Sequence, residues 1–365
     1  MQAQDSHYKQ RTAFVLNANA KNVTDRLVKR LMPIIPAGDL YFSRGLSQAT
    51  EQFSWILNKG YGQVFSGGGD GTVMATINML NSIAAKYQLQ LPKIGILKLG
   101  TGNALASVLG AQKAARDARY IVNGGRISET KIGMVECENG AVAPFAGVGL
   151  DAVLVNDYIA LKQKFEHTQF KPFMCSVLGY IGAAVTKSIP QQLMRSARPR
   201  IKVTSTQPAY KIVSHNGSDL KITIPAGSVL FEGPASIMSV GSIRVFGFNF
   251  AMFPFMGSDP TLIQLRVSSC PLSTLLANIH LIWRGSFRHP DLHDFLLRDA
   301  IIESDSPMPY QVGGDACGYR SRVIFKASSR PIEMVQLQRS LPKNGEAHAA
   351  PSRDFAQVFH AFNRT

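Results

Sequence analysis

Acidic residues are scarce in this 365-residue chain: 24 Asp and Glu stand against 39 Lys and Arg, for a formal net charge of +15. That imbalance favours anionic partners, whether phosphate-bearing substrates, an acidic membrane surface or nucleic acid. Cysteine is scarcer still. Cys137, Cys175, Cys270 and Cys317 lie far apart and form no CxxC. Neither a zinc ribbon nor a disulfide framework is indicated, and a reducing compartment fits best. Long apolar runs are missing as well. The richest two, "CSVLGYIGAAV" from Cys175 and "FGFNFAMFPFM" from Phe246, are about half the ~20 residues that a bilayer-spanning helix needs. The polar N-terminus lacks the apolar core of a signal peptide, so a cytoplasmic chain is expected. With 45% hydrophobic and only 17% charged residues the chain supports a large core, and its length suggests two domains.

Strand-like and helix-like segments alternate first. "TAFVLNA" (Thr12 to Ala18), "DLYFS", "GQVFS" and "KIGILKLG" read as buried strands. The segments after them have helical spacing, with Thr24 predicted to cap one helix and Gly60 to end the next. This order predicts a parallel sheet covered on both faces, with ligands beyond the carboxyl ends of its strands. From about Lys131 short β-type runs take over, interrupted by a helical insertion over Phe173 to Met194 and a helical stretch around Leu272 to Arg298. The expected fold is an α/β N-terminal domain with a Rossmann-like parallel sheet, plus a mainly antiparallel β-sandwich C-terminal domain. The expected divisions are residues 1–130, 131–337, and a linker and tail over 338–365.

Two glycine loops follow strands of the first sheet and precede helices. In the first, Ser66-Gly67-Gly68-Gly69-Asp70-Gly71-Thr72, the glycines let backbone approach a ligand and the following helix offers its amino end to phosphate. It is neither a Walker A loop nor GxGxxG. Asp70 as a plain N-cap is the bland alternative. The second loop is Gly100-Thr101-Gly102-Asn103. Together the two can converge on one polyphosphate, joined by the Asn17 amide. An acid among phosphates is repelled unless a metal lies between them or it faces an acceptor's proton.

"GGGDGT", then "LKLGTGNALA", then "FAGVGLDAVLV" from Phe145 and "YQVGGDACG" from Tyr310 together resemble the diacylglycerol kinase catalytic-domain family, which includes sphingosine kinases and bacterial lipid kinases, within an NAD kinase-like superfamily. The resemblance implies transfer of the γ-phosphoryl group of ATP, with Mg2+, to a lipid hydroxyl. It implies that Asp70 and Asp315 are the catalytic carboxylates, with Asp70 as base or metal organiser and Asp315 able to take either part. Asn17, Ser66, Gly67, Gly68, Gly69, Gly71, Thr72, Gly100, Thr101, Gly102 and Asn103 would form the ATP site, and Asp151 would face the acceptor's polar head. The chain departs from the family where Asn17-Ala18-Asn19-Ala20-Lys21 replaces an Asn-Pro turn. It departs again where Gly313-Gly314-Asp315 replaces Asp-Gly-Glu.

A lipid acceptor implies a membrane surface. "KSIPQQLMRSARPRIK", with Lys187, Arg195, Arg198, Arg200 and Lys202 and no acid, is a candidate contact for anionic lipid, and "FGFNFAMFPFM" a candidate apolar rim. Peripheral association with the cytoplasmic membrane face is the expectation. A nucleic-acid partner is not, since no stacking motif or recognition helix is evident. Monomer and homodimer both stay open. An NAD kinase-like enzyme and a nucleotide- or lipid-binding protein without turnover are the alternatives.

Overall fold

The computed structural model describes residues 11–100, 103–138, 140–156, 198–215, 218–246, 250–257 and 259–338. The predicted helix over 173–194, the basic residues Lys187 and Arg195, and the tail beyond residue 338 lie outside them.

The first unit begins as predicted. Strands β1 (Thr12–Asn17), β2 (Leu40–Ser43), β3 (Gln63–Gly68) and β4 (Lys93–Lys98) pair in parallel, in the order β2-β1-β3-β4. Helices α1 (Asp25–Leu31), α2 (Leu46–Asn58) and α3 (Asp70–Tyr87) connect them. The Thr24 hydroxyl accepts the N–H of Leu27, so α1 starts at the predicted cap. Gly60 takes the left-handed conformation, φ 70°, just past α2. Two shorter helices, α4 (Ala104–Val108) and α5 (Ala114–Val122), follow β4. One core packs Val15, Val64, Ile94 and Ile96 against Phe53, Ile56, Ile77 and Leu80 of α2 and α3. The opposite face packs Phe14, Leu16, Phe65 and Leu97 against Leu31 and Ala118.

The sheet is finished from an unexpected place. Strand β5 (Ile127–Ile132) is its edge, and the late strand β18 (Ile332–Leu337) lies between β4 and β5. β18 runs parallel to β4 at Met334–Ile94 and antiparallel to β5 along its whole length. Residues 332–337, placed with the second domain by sequence, therefore belong to the first sheet. Short apolar strands announce burial but not their partner.

Between these two strands the described residues build one antiparallel sheet of twelve strands. They are β6 (Val135–Cys137), β7 (Val142–Ala143), β8 (Phe145–Gly149), β9 (Arg200–Thr204), β10 (Ala209–His215), β11 (Ser218–Ile224), β12 (Val229–Pro234), β13 (Ile237–Gly241), β14 (Ile263–Ser268), β15 (Leu292–Leu297), β16 (Asp299–Val312) and β17 (Asp315–Ala327). The sheet curls so that Ile201, Val203 and Phe325 share one core with Val240, Leu265 and Phe295. The helical stretch around Leu272 to Arg298 holds only in its first part, α6 (Leu272–Ala277) and α7 (Ile279–Arg284). Gly285, at φ 74°, ends it, and residues 292–297 form β15. A six-residue apolar run carries too little periodicity to separate strand from buried helix.

Candidate active site

β3 runs directly into α3, and its glycines are where two backbones and a helix meet. A Cβ on Gly67 would fall 2.2 Å from Leu16 Cδ2, and one on Gly68 would fall 2.5 Å from the Thr72 side chain. A Cβ on Gly100 would fall 2.5 Å from the Cα of Gly69. The two glycine loops thus touch backbone to backbone, as their placement after neighbouring strands predicted. Gly71 differs from these. Nothing lies within 4 Å of its absent side chain, it is exposed, and the N-cap Gly69 supplies no side chain to cover the helix end. First-turn amides of an 18-residue helix lack intrahelical partners, so this end presents donors and a positive dipole to open ground.

Asp70, the first residue of α3, reaches across the loop contact. Its carboxylate accepts backbone N–H groups of Asn103, Ala104 and Leu105, which begin α4. Burial pushes its pKa up, and those N–H groups pull in the opposite direction. Asn103 closes the second loop: its Oδ1 accepts the Gly100 N–H at 2.9 Å and its Nδ2 donates to the Gly100 carbonyl at 2.7 Å. Asn103 holds a left-handed φ of 50° to do so. Thr101 and Gly102, between them, lie outside the described residues. Asn22, which the motifs did not single out, fastens the loop from the other side, donating to the Leu99 carbonyl at 2.9 Å.

Asn17 joins the first loop as expected, its Nδ2 donating to Thr72 Oγ1 at 3.0 Å. Ser66 does not face a ligand. It is fully buried, and its hydroxyl pairs with Thr76 Oγ1 at 2.9 Å, fixing α3 on β3. Beside Thr72 a pocket of about 190 Å3 opens at the carboxyl ends of β1 and β2. Val15, Ala49, Phe53 and Met79 give it apolar walls, Leu46 stands at its mouth 73% exposed, and Asn17, Asn19 and Thr72 supply polar atoms.

Asp315 opens β17 right after the hairpin turn made by Gly313 and Gly314, both left-handed at φ 61° and 90°. It is exposed. The turn is tied towards α3 through β7. Gly313 approaches Ala143, and the Asn78 amide of α3 makes two 3.0 Å hydrogen bonds to the backbone of Val142. Asn78 lies two helical turns beyond Asp70, so Asp70 and the hairpin turn are held by the same helix.

Asp151, expected at the acceptor's head group, sits beneath β8 instead and is 8% exposed. Its Oδ2 accepts the Ser239 hydroxyl at 2.7 Å and Gln311 Nε2 at 3.2 Å, and its Oδ1 accepts the N–H of Ala152 at 2.8 Å. Gly147 leaves the space for that carboxylate, since a Cβ there would fall 2.2 Å from Oδ2. Desolvation pushes the Asp151 pKa up to about 6 against these hydrogen bonds. The carboxylate belongs to a buried polar row crossing five strands. Asp294 pairs in register with Arg266, Arg266 with Ser239, Ser239 with Gly147 and Gly147 with Gln311.

Two expected membrane features look different once folded. Lys202 stands in register with Glu232 on β12 and Glu303 on β16, and the Arg200 N–H binds Asp305. Acids distant in sequence thus flank part of the basic run. Of "FGFNFAMFPFM", Ala251, Met252 and Phe253 are buried, and Phe246 stacks on Phe145 at 4.1 Å. Phe250 and Met256 are partly buried against the same core. Among the described residues no helix is long and apolar enough to cross a membrane.

The fold and site define a two-part protein: a parallel α/β unit that presents glycine loops, joined to a large antiparallel β unit. Residues 12–135 match the family model of the diacylglycerol kinase catalytic domain. Two solved structures from Bacillus anthracis str. Sterne share the fold across both units. One, described as a candidate diacylglycerol kinase, aligns with a TM-score of 0.59 at 17% identity, covering 90% of this chain and 95% of that one. The other, described as a diacylglycerol kinase, has a TM-score of 0.55 at 16% identity, covering 90% and 97%. The chain matches none of the curated proteins.

Proposed function

We propose that this protein is an ATP-dependent lipid kinase, transferring the γ-phosphoryl group of ATP to a hydroxyl of a membrane lipid such as a diacylglycerol or a sphingoid base. The observation that carries the proposal is the contact of the two glycine loops at Gly69 and Gly100, with Asp70 held across it and open ground over Gly71. The triphosphate lies over the first turn of α3, where free amides and the helix dipole favour anions. The nucleoside takes the pocket beside Thr72, with Met79 and Leu46 as its apolar walls and the amides of Asn17 and Asn19 as polar contacts.

Phosphoryl transfer needs mainly alignment, charge neutralisation and a proton acceptor. Burial raises the proton affinity of Asp70, which suits it to take the acceptor's proton as the new P–O bond forms and ADP leaves. Asp315 is the second carboxylate of the site. Among the described residues no cluster of three or more His, Cys, Asp or Glu is arranged to hold a metal ion. Mg2+ brought in on the nucleotide uses one or two protein carboxylates and fills its shell with phosphate oxygens and water. Asp70 and Asp315 would hold it, and it would neutralise charge on the phosphates. The acceptor is met at the cytoplasmic face of an anionic membrane, to which the +15 chain is drawn peripherally.

The test is incubation of the purified chain with labelled ATP, Mg2+ and a panel of diacylglycerol, sphingoid base, ceramide and phosphatidylglycerol, with NAD alongside. Label is expected in one lipid, and Asp70→Asn is expected to lower kcat by at least ~100-fold. Transfer to NAD alone, or to nothing, overturns the proposal.

A further inference from the structure

A two-glycine hairpin turn has little to fix it from within, because both residues reach left-handed and extended conformations at small cost. Here two bonds from outside fix it. The Gly313 N–H donates to the Phe145 carbonyl at 2.9 Å. The Gly314 N–H donates to the side-chain Oε1 of Gln311 at 3.0 Å. The other end of that amide, Nε2, donates to Asp151 Oδ2.

The chain of bonds has a direction. An ionised carboxylate only accepts and a backbone N–H only donates, so one orientation of the Gln311 amide satisfies both neighbours. Asp151 therefore sets which end of Gln311 faces the turn. Gln311 and Ser239 are wholly buried, so water is not available to replace either partner. A buried carboxylate costs desolvation that its three hydrogen bonds offset only in part. An apolar residue of similar size would fill the space beside Gly147 and Ser239 without that cost. The polar group matters for what its neighbour does at the turn, and the residue next along the chain is Asp315.

We propose that Gln311 is a positioning residue, its amide oriented by Asp151 so that it locks the Gly313–Gly314 turn and sets the stance of Asp315 for phosphoryl transfer. The catalytic half of this inference rests on the lipid-kinase reading; the locked turn does not. Asp151 is assigned to the anchor, on the protein side of the turn.

The test uses the full chain labelled with 15N-glycine, reading amide hydrogen exchange at Gly314, together with kcat and the KM for ATP on the responding lipid. Gln311→Met, close in length but with no donor and only a weakly accepting sulfur, is expected to speed Gly314 exchange at least tenfold. It should lower kcat about tenfold and leave the KM for ATP unchanged. Asp151→Asn is expected to do the same while Gln311 is intact, because an amide at position 151 lets the Gln311 amide turn over and present donors to the Gly314 N–H. The double variant Asp151→Asn with Gln311→Glu reverses the direction of the chain: the introduced amide donates, and the introduced carboxylate accepts from both sides. It is expected to restore Gly314 protection and most of kcat. Thermal melting of each variant confirms that it is folded. Unchanged Gly314 exchange in folded Asp151→Asn, or no rescue by the double variant, overturns the inference. Lost protection with an unchanged kcat overturns the positioning role. If the unaltered chain phosphorylates no lipid while protection responds as described, the kinase reading falls and the locked turn stands.

Discussion

Asp151 gives a prediction whose size follows from its surroundings. Its carboxyl is lifted from an ordinary 3.8 to about 6 by burial, and each unit of pKa difference between folded and unfolded chain is worth about 1.4 kcal/mol. The folded chain holds this proton more tightly than the unfolded one does. Stability from it is complete below the unfolded value and is lost as pH rises through the folded value. The full loss is about 3 kcal/mol, of which about 2 kcal/mol falls between about pH 4.5 and about pH 7. Asp151→Asn removes this titration and leaves the other groups of the polar row, such as Asp294 and Arg266, in place. Urea unfolding of both proteins across that range should show the wild type losing about 2 kcal/mol relative to the variant as pH rises. Parallel stability curves, or a difference of opposite sign, would refute the claim that desolvation outweighs the three hydrogen bonds.

Gly100→Ala should destabilise the chain by about 1–3 kcal/mol in chemical denaturation, because its Cβ meets the backbone of Gly69. Gly71→Ala should fold with equal or slightly greater stability, since it adds a better helix former in open space. It should nevertheless raise the KM for ATP several-fold. Arg266→Ala leaves Asp294 as an unpaired buried charge after two hydrogen bonds of 2.8 and 3.0 Å are removed, and should cost ~3–5 kcal/mol in the same assay. In sedimentation with anionic vesicles, joint replacement of Arg198 and Arg200 by Gln should weaken binding about thirtyfold, at ~1 kcal/mol for each charge. Lys202→Gln should change it less than twofold, because Glu232 and Glu303 stand in register with Lys202.

The parallel sheet was legible because its signals are local. Each strand is a short apolar run punctuated by Gly, Asn or Ser, and the two glycine loops fall at the same point of successive strand-to-helix turns. Thr24 and Gly60 mark helix ends by chemistry that depends on a few neighbouring residues. β18 was not legible as part of that sheet, because its partners are set by a chain return of about two hundred residues. β15 was misplaced because "LHDFLL" is buried as a central strand yet too short to show a period. The grouping of Asn17, Thr72, Asp70 and Asn103 follows from the order of the loops. The polar row could not be read in the same way. Asp151 and Gln311 are 160 residues apart, and each sits alone among apolar neighbours. The one available signal was that a Gln inside a buried strand must find partners.

The position of β18 bears on how the protein can be made. The first sheet receives the strand between β4 and β5 only after the whole twelve-stranded sheet has been synthesised. On the ribosome, the α/β unit must therefore wait with an unfilled slot in its sheet. A fragment cut after residue 135, at the end of the matched domain, keeps β5 without the strand that joins it to β4. Such a fragment is expected to expose the edge of β4 and to aggregate, whereas co-expression with a peptide spanning β18 should restore solubility. The second unit is an insertion within the first, tethered at two points, and this limits how far the two can swing apart when substrate enters.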